Sequence, residues 1–146
     1  MRTFVARLRG SEEVPPVVTN ATGMTHFRLS EDGSRLHFTL VVDNIRKATE
    51  AHIHLGRRGE NGDVVAFLFG PVRRGVSARR GVVRGIIRAA DLVGPLAGHS
   101  LSTLLHEMSI GNTYVNVHTV QNPEGEVRGQ IRHGRRRKHG GGHVCG

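Results

Sequence analysis

Period-two alternation of apolar and polar residues, cut repeatedly by glycine and proline, is what most narrows the folds open to this chain. Phe4, Ala6 and Leu8 alternate with Val5 and Arg7; Thr25, Phe27 and Leu29 alternate with Met24, His26 and Arg28; Leu36, Phe38, Leu40 and Val42 alternate with His37, Thr39 and Val41. Successive side chains of a strand point to opposite faces, so each segment buries one face and wets the other. Further strands are expected over 50–55, 64–69, 81–88, 114–119 and 126–132, with 64–69 apolar on both sides and therefore covered on both. Between them Val14-Pro15-Pro16-Val17 forbids regular pairing, and Glu31-Asp32-Gly33-Ser34 has the chemistry of a hairpin turn. About eight short strands predict an all-β fold, an antiparallel Greek-key-like sandwich or barrel.

One segment leaves that rhythm. Leu101, Leu104, Leu105 and Met108 recur at helical spacing behind Ser100, a residue suited to an N-cap. A short helix packed on one end of the sheets is expected, with His106 off its apolar stripe and Gly111-Asn112 as its stop.

At 146 residues the chain fits one domain with a real core. No apolar run approaches the about 18 residues that a membrane-spanning helix needs, and the segment from Met1 to Arg7 has no apolar leader, so neither a transmembrane segment nor a signal peptide is expected in this numbering. The net charge of +9 is concentrated at the end: Arg132, Arg135, Arg136, Arg137 and Lys138 stand beyond residue 131 without an acid, against sixteen basic and twelve acidic groups before it. Such a tail suits a polyanion or an acidic neighbour. With no helix-turn-helix pattern, no zinc finger and 4% aromatic residues, no specific nucleic acid reading is expected. The segment 133–146 has nothing with which to build a core, and the expectation is that a neighbouring subunit orders it. Cys145, the one cysteine, has no partner within the chain and is either an incidental thiol or a site for cross-linking between chains.

The chemistry concentrates in histidines. In Ala51-His52-Ile53-His54 the two imidazoles share a face opposite Ile53; in Tyr114-Val115-Asn116-Val117-His118 the residues Tyr114, Asn116 and His118 share a face opposite the valines. With Ile53 and the valines turned to a core, His52, His54 and His118 stand outside it as a candidate metal site for copper or zinc, the alternative being three unrelated surface histidines. His26 and His37, and His133, His139, His143 and Cys145 of the tail, are weaker candidates for a further ligand, the tail residues reaching across from a neighbour. Other catalytic templates fail: there is no buried thiol, no phosphate loop with its lysine, and Glu124 and Glu126 read as solvated charge in a turn.

Glu13-Val14-Pro15-Pro16-Val17, Ala51-His52-Ile53-His54-Leu55-Gly56, Tyr114–Thr119 and Asn122-Pro123-Glu124-Gly125-Glu126-Val127-Arg128-Gly129-Gln130-Ile131 together resemble the CHRD (chordin) domain. The resemblance implies a β-sandwich over 1–132, usually on secreted or surface proteins and mostly without an assigned enzymatic activity, with the tail 133–146 outside it. A more distant resemblance is to the copper/zinc superoxide dismutase fold, which implies that His52, His54 and His118 are copper ligands and that Arg128 guides an anionic substrate. No histidine follows the His52/His54 pair soon enough to bridge two metals, and no second-site aspartate stands out. The expectation is therefore a structural, self-assembling extracellular or cell- or spore-surface protein, a fibre or coat subunit joined through its tail, with metal at the three histidines. The alternatives are a copper-dependent dismutase-like oxidoreductase and a polyanion-binding module.

Overall fold

The computed structural model describes residues 2–134, as eight antiparallel strands and one α-helix: β1 Thr3–Arg9, β2 Thr22–Leu29, β3 Leu36–Leu55, β4 Val64–Phe69, β5 Val76–Ile87, α1 Leu101–Ser109, β6 Thr113–Thr119, β7 Val127–Gln130 and β8 Arg132–His133. The expected all-β architecture is present, closed as a barrel. The hydrogen-bonded path β1–β2–β3–β6–β7 returns to β1, while β4 and β5 extend the two halves of β3. The β7–β1 seam is thin, a single ladder pair between Arg9 and Arg128, with β8 adding two pairs beyond it.

The strands expected at 36–42 and 50–55 are one strand of 20 residues. Its inward positions are Leu36, Phe38, Leu40 and Val42, then Ile45, Ala48, Ala51 and Ile53, so the parity of the buried face reverses midway. A reversal of this kind requires extra residues in the ladder. Asn44 (φ 56°) and Lys47 (φ 53°) adopt the left-handed conformation there, and the pairing slips between Ile45 and Ala48. Before the bend β3 pairs with β2 and β5, and after it with β4 and β6. The bend thus sets His52 and His54 on the barrel's outer wall.

Inside, register stacks Phe4, Phe27 and Phe38 across β1, β2 and β3, with Gly85 as the β5 partner. A Cβ at Gly85 would lie 2.6 Å from Cζ of Phe38, so the glycine makes room for that ring. Each buried phenylalanine contributes about 1.5–3 kcal/mol. Helix α1 buries Leu101, Leu104, Leu105 and Met108 as its spacing predicts, and His106 is exposed. Ser100 occupies the N-cap position, but its hydroxyl bonds those of Ser102 and Thr103 and leaves the backbone uncapped. Gly111, at φ 78°, ends the helix.

Three expectations need correction. Strand β4 is not covered on both sides, because Phe67 is 45% exposed. The ladder also runs past 132: His133 pairs with Phe4 and stacks on its ring, so it belongs to the barrel and not to the tail. Strand β5 begins at Val76, five residues before the strand expected over 81–88. Among the described residues no helix is long and apolar enough to cross a membrane. The tail proposals for His139, His143 and Cys145, and the ordering of the tail by a neighbouring subunit, lie outside the described residues.

Candidate metal centre

The alternation read from the sequence delivers the three histidines to one place. Ile53, Val115 and Val117 face the core, and His52, His54 and His118 meet on the outer wall where β3 and β6 pair, with ligand atoms all within 4.8 Å of one another. They lie outside the core as expected, yet are not open to solvent: His52 and His54 are buried and His118 half-buried. They face outward from the barrel, but loop 56–63 folds over His54 through Gly62, the Pro123 carbonyl meets His118, and the Phe67 ring packs edge-on against His52. His26 and His37 sit on a different wall, on β2 and on β3 before its bend, outside this cluster.

The hydrogen bonds decide which nitrogens are free. His54 Nδ1 lies 2.9 Å from the carbonyl of Gly62 and His118 Nδ1 2.7 Å from that of Pro123. A backbone carbonyl only accepts, so both Nδ1 atoms carry the proton and both Nε2 atoms present lone pairs. His52 is fixed the other way round: Nε2 donates to Glu50 Oε1 at 2.9 Å, and buried Nδ1 has no partner. Each ring thus has one nitrogen anchored by an acceptor and one available, the arrangement that orients metal-bound imidazoles.

Asn116, which sequence reasoning placed on this face without a role, completes the cluster. Its Oδ1 lies 2.8 Å from His54 Nε2 and 3.0 Å from His118 Nε2, so an oxygen acceptor faces two unprotonated nitrogens. Asn116 Nδ2 lies beside Glu13, where a Cβ on Gly125 would come within 2.7 Å of Nδ2 and 2.6 Å of Glu13 Oε2, so the ionised carboxylate holds the amide this way round and a protonated Glu13 would allow it to turn over. Convergent lone pairs without a proton between them repel, and a cation among them removes the repulsion. Tetrahedral sites with bonds of about 2.1 Å set donors about 3.4 Å apart, so the rings need draw in by less than about 1 Å each.

The covering loop is built from the wall outward. Arg128 is 1% exposed; its guanidinium donates to the carbonyls of Arg57 and Glu60 and to Asn61 and Gln130, and lies 3.5 Å over the Tyr114 ring. Tyr114 in turn stacks on His54 (4.7 Å, 3°) and accepts from Gly62 N. A side chain at Gly62 would overlap the Leu55 carbonyl, so glycine is required where the loop returns to the ring it orients. The role of anion guide expected for Arg128 therefore needs correction: the group is buried and its donors are committed to the loop. Glu126 is corrected likewise. It is buried and accepts from Thr19, Thr119, Gln121 and Asn122; burial raises its carboxyl, and these bonds more than offset that, leaving it lowered.

Burial also sets the charge of the site. It pushes His52 down to about 4, the Glu50 bond only partly opposing it, and lowers His54. It raises Glu13 to about 7 against the pull of Arg128 and Asn116. The consequences for stability are opposite in sign. Between about 4 and 6.5 the unfolded chain protonates its histidine and the folded chain does not, so His52 removes stability as pH falls. Between 4.5 and about 7 the folded chain keeps the Glu13 proton and the unfolded chain releases it, so Glu13 removes stability as pH rises. In metal-free protein Glu13 and His52 oppose each other, and His54, lowered as well, acts in the same direction as His52. Glu13→Gln is expected to steepen the rise, adding about 2 kcal/mol to the gain in stability from pH 4.5 to 6.5 relative to the parent. Urea unfolding across that range checks this, and equal slopes for the two proteins would refute it.

A closed antiparallel barrel with a loop-covered histidine cluster on its outer wall is the class of domain these features define. The chain belongs to the CHRD domain family, whose pattern matches residues 4–131. It is 32% identical over 126 residues to Chordin of Xenopus laevis, a span covering 85% of this chain and 12% of that protein.

Proposed function

We propose that this chain is an extracellular structural module that binds one copper or zinc ion through His52 Nδ1, His54 Nε2 and His118 Nε2, with Asn116 Oδ1 beside them. The observation that carries the reading is the set of anchored nitrogens: each ring is held through one nitrogen by Glu50, Gly62 or Pro123, which leaves the other for a metal. Neutral imidazoles suit both metals, and the half-buried His118 gives the ion a way in. Family membership and the likeness to Chordin support the extracellular placement. The metal would brace the join between β3, β6 and the covering loops and add its binding free energy to folding. The reading extends to self-assembly, with the basic segment beyond Gly134 and Cys145 as the means of joining copies.

Metal analysis after loading with zinc or copper and exhaustive dialysis tests the site. About one ion per chain is expected, with retention at least about 100-fold weaker in His118→Ala, a half-buried position whose loss leaves the core intact. Protein that keeps neither metal would overturn the site. Sedimentation of the same preparations tests assembly: a concentration-independent monomer, with and without metal, would remove that part of the reading.

A further inference from the structure

The wall formed by β1, β2, the first half of β3 and β5 turns a second set of charges to solvent. Strand register puts Arg7 and Arg9 on β1, Arg28 on β2, and Arg80 and Arg84 on β5, all on the outer face. Against these five arginines that face carries one acid, Asp43 on β3, and Arg80 holds it with Nε at 2.7 Å and Nη2 at 3.3 Å. Arg7, Arg9, Arg28 and Arg84 are exposed and form no salt bridge among the described residues. Between them one row of ladder partners is apolar, Met24, Val41 and Val82, with Val82 48% exposed.

We infer that this wall is a binding surface for a linear polysaccharide bearing a carboxylate on its repeating sugars, and that Arg7, Arg28 and Arg84 are its principal contacts. Three features select this partner. The Arg80–Asp43 fork places a carboxylate on a guanidinium of the same face, so the geometry is already realised there once. Neighbouring strands lie about 4.8 Å apart, close to the length of one pyranose ring, so successive sugars can meet successive strands. The apolar row offers a surface to the C–H faces of those rings. Other polymers fit less well. The face offers a base only the imidazoles of His26 and His37 and no Phe, Tyr or Trp, and the outside of a barrel is convex, so a stiff duplex touches few of its cations. Strands β2 and β3 are paired on both edges here, so an acidic peptide could add only along the free edge of β5, with β3 between it and Arg28 and with Arg7 farther still.

Binding of the full chain to immobilised polygalacturonate, followed against salt, tests this. The triple variant Arg7→Ser/Arg28→Ser/Arg84→Ser is expected to bind about tenfold more weakly, with a log–log salt slope shallower by about two and an unchanged melting temperature. A second full-length variant, Arg135→Ser/Arg136→Ser/Arg137→Ser, should keep most of the affinity. If the second variant loses binding and the first does not, the wall is not the site. Dextran sulfate, polyglutamate and duplex DNA serve as competitors. Any of them bound more tightly than polygalacturonate, with the same dependence on the three arginines, would overturn the choice of partner.

Discussion

Arg128→Met is expected to lower the free energy of unfolding by about 3–5 kcal/mol. Methionine matches much of the buried volume but none of the donors. The carbonyls of Arg57 and Glu60, at 2.9 and 2.7 Å, and the side chains of Asn61 and Gln130, at 3.1 Å each, would lose their partner together. The contact with Tyr114 goes as well. The damage should reach the histidines, because Arg128 holds the loop whose Gly62 carbonyl orients His54. Urea unfolding gives the stability change, and amide exchange at Gly62 reports the loop. Arg128→Lys should recover less than half, since one ammonium cannot span four acceptors. A loss below about 1 kcal/mol would mean that the bonds from Gly62 to Tyr114, from His54 to Gly62 and from Asn61 to Val14 hold the loop without the guanidinium.

Gly129→Ala is expected to be comparably severe by a different route. A Cβ there would overlap the carbonyl oxygen of Arg7, which belongs to the backbone and cannot swing aside. The substitution forces β7 away from β1 at the seam where one ladder pair closes the barrel. Overpacking against backbone costs about 3 kcal/mol or more. Thermal and urea unfolding should agree on that loss, and since Gly129 touches no histidine, folded variant protein should bind metal as the parent does. A variant of parental stability would show that the seam is more yielding than its geometry indicates.

The alternation of single strands was legible because one buried face leaves a period-two mark, and His52, His54 and His118 were placed on a common side by the same rule. The continuity of β3 was not. Asp43-Asn44-Ile45-Arg46-Lys47 has the composition of a turn, and only the left-handed Asn44 and Lys47 show that the chain runs on through a bend. The roles of Glu13, Glu126 and Arg128 are not legible in the sequence because their burial comes from loops distant along the chain: Glu126 accepts from Thr19, and Arg128 donates to residues 57–61. Period-two patterns describe walls and say nothing about what is folded over them. Asn116 was visible on the right face, but its role follows from the nitrogens it meets.

Strand β3 carries Asp43 of the cationic wall before its bend and His52 and His54 after it. A pull on a polymer fixed to one end, with the metal centre anchored at the other, would run along this strand. Because β3 has hydrogen-bonded neighbours on both edges in each half, such a tension has to shear two ladders at once and cannot unzip them bond by bond. That makes the barrel mechanically stiffest along the line joining its two outer surfaces.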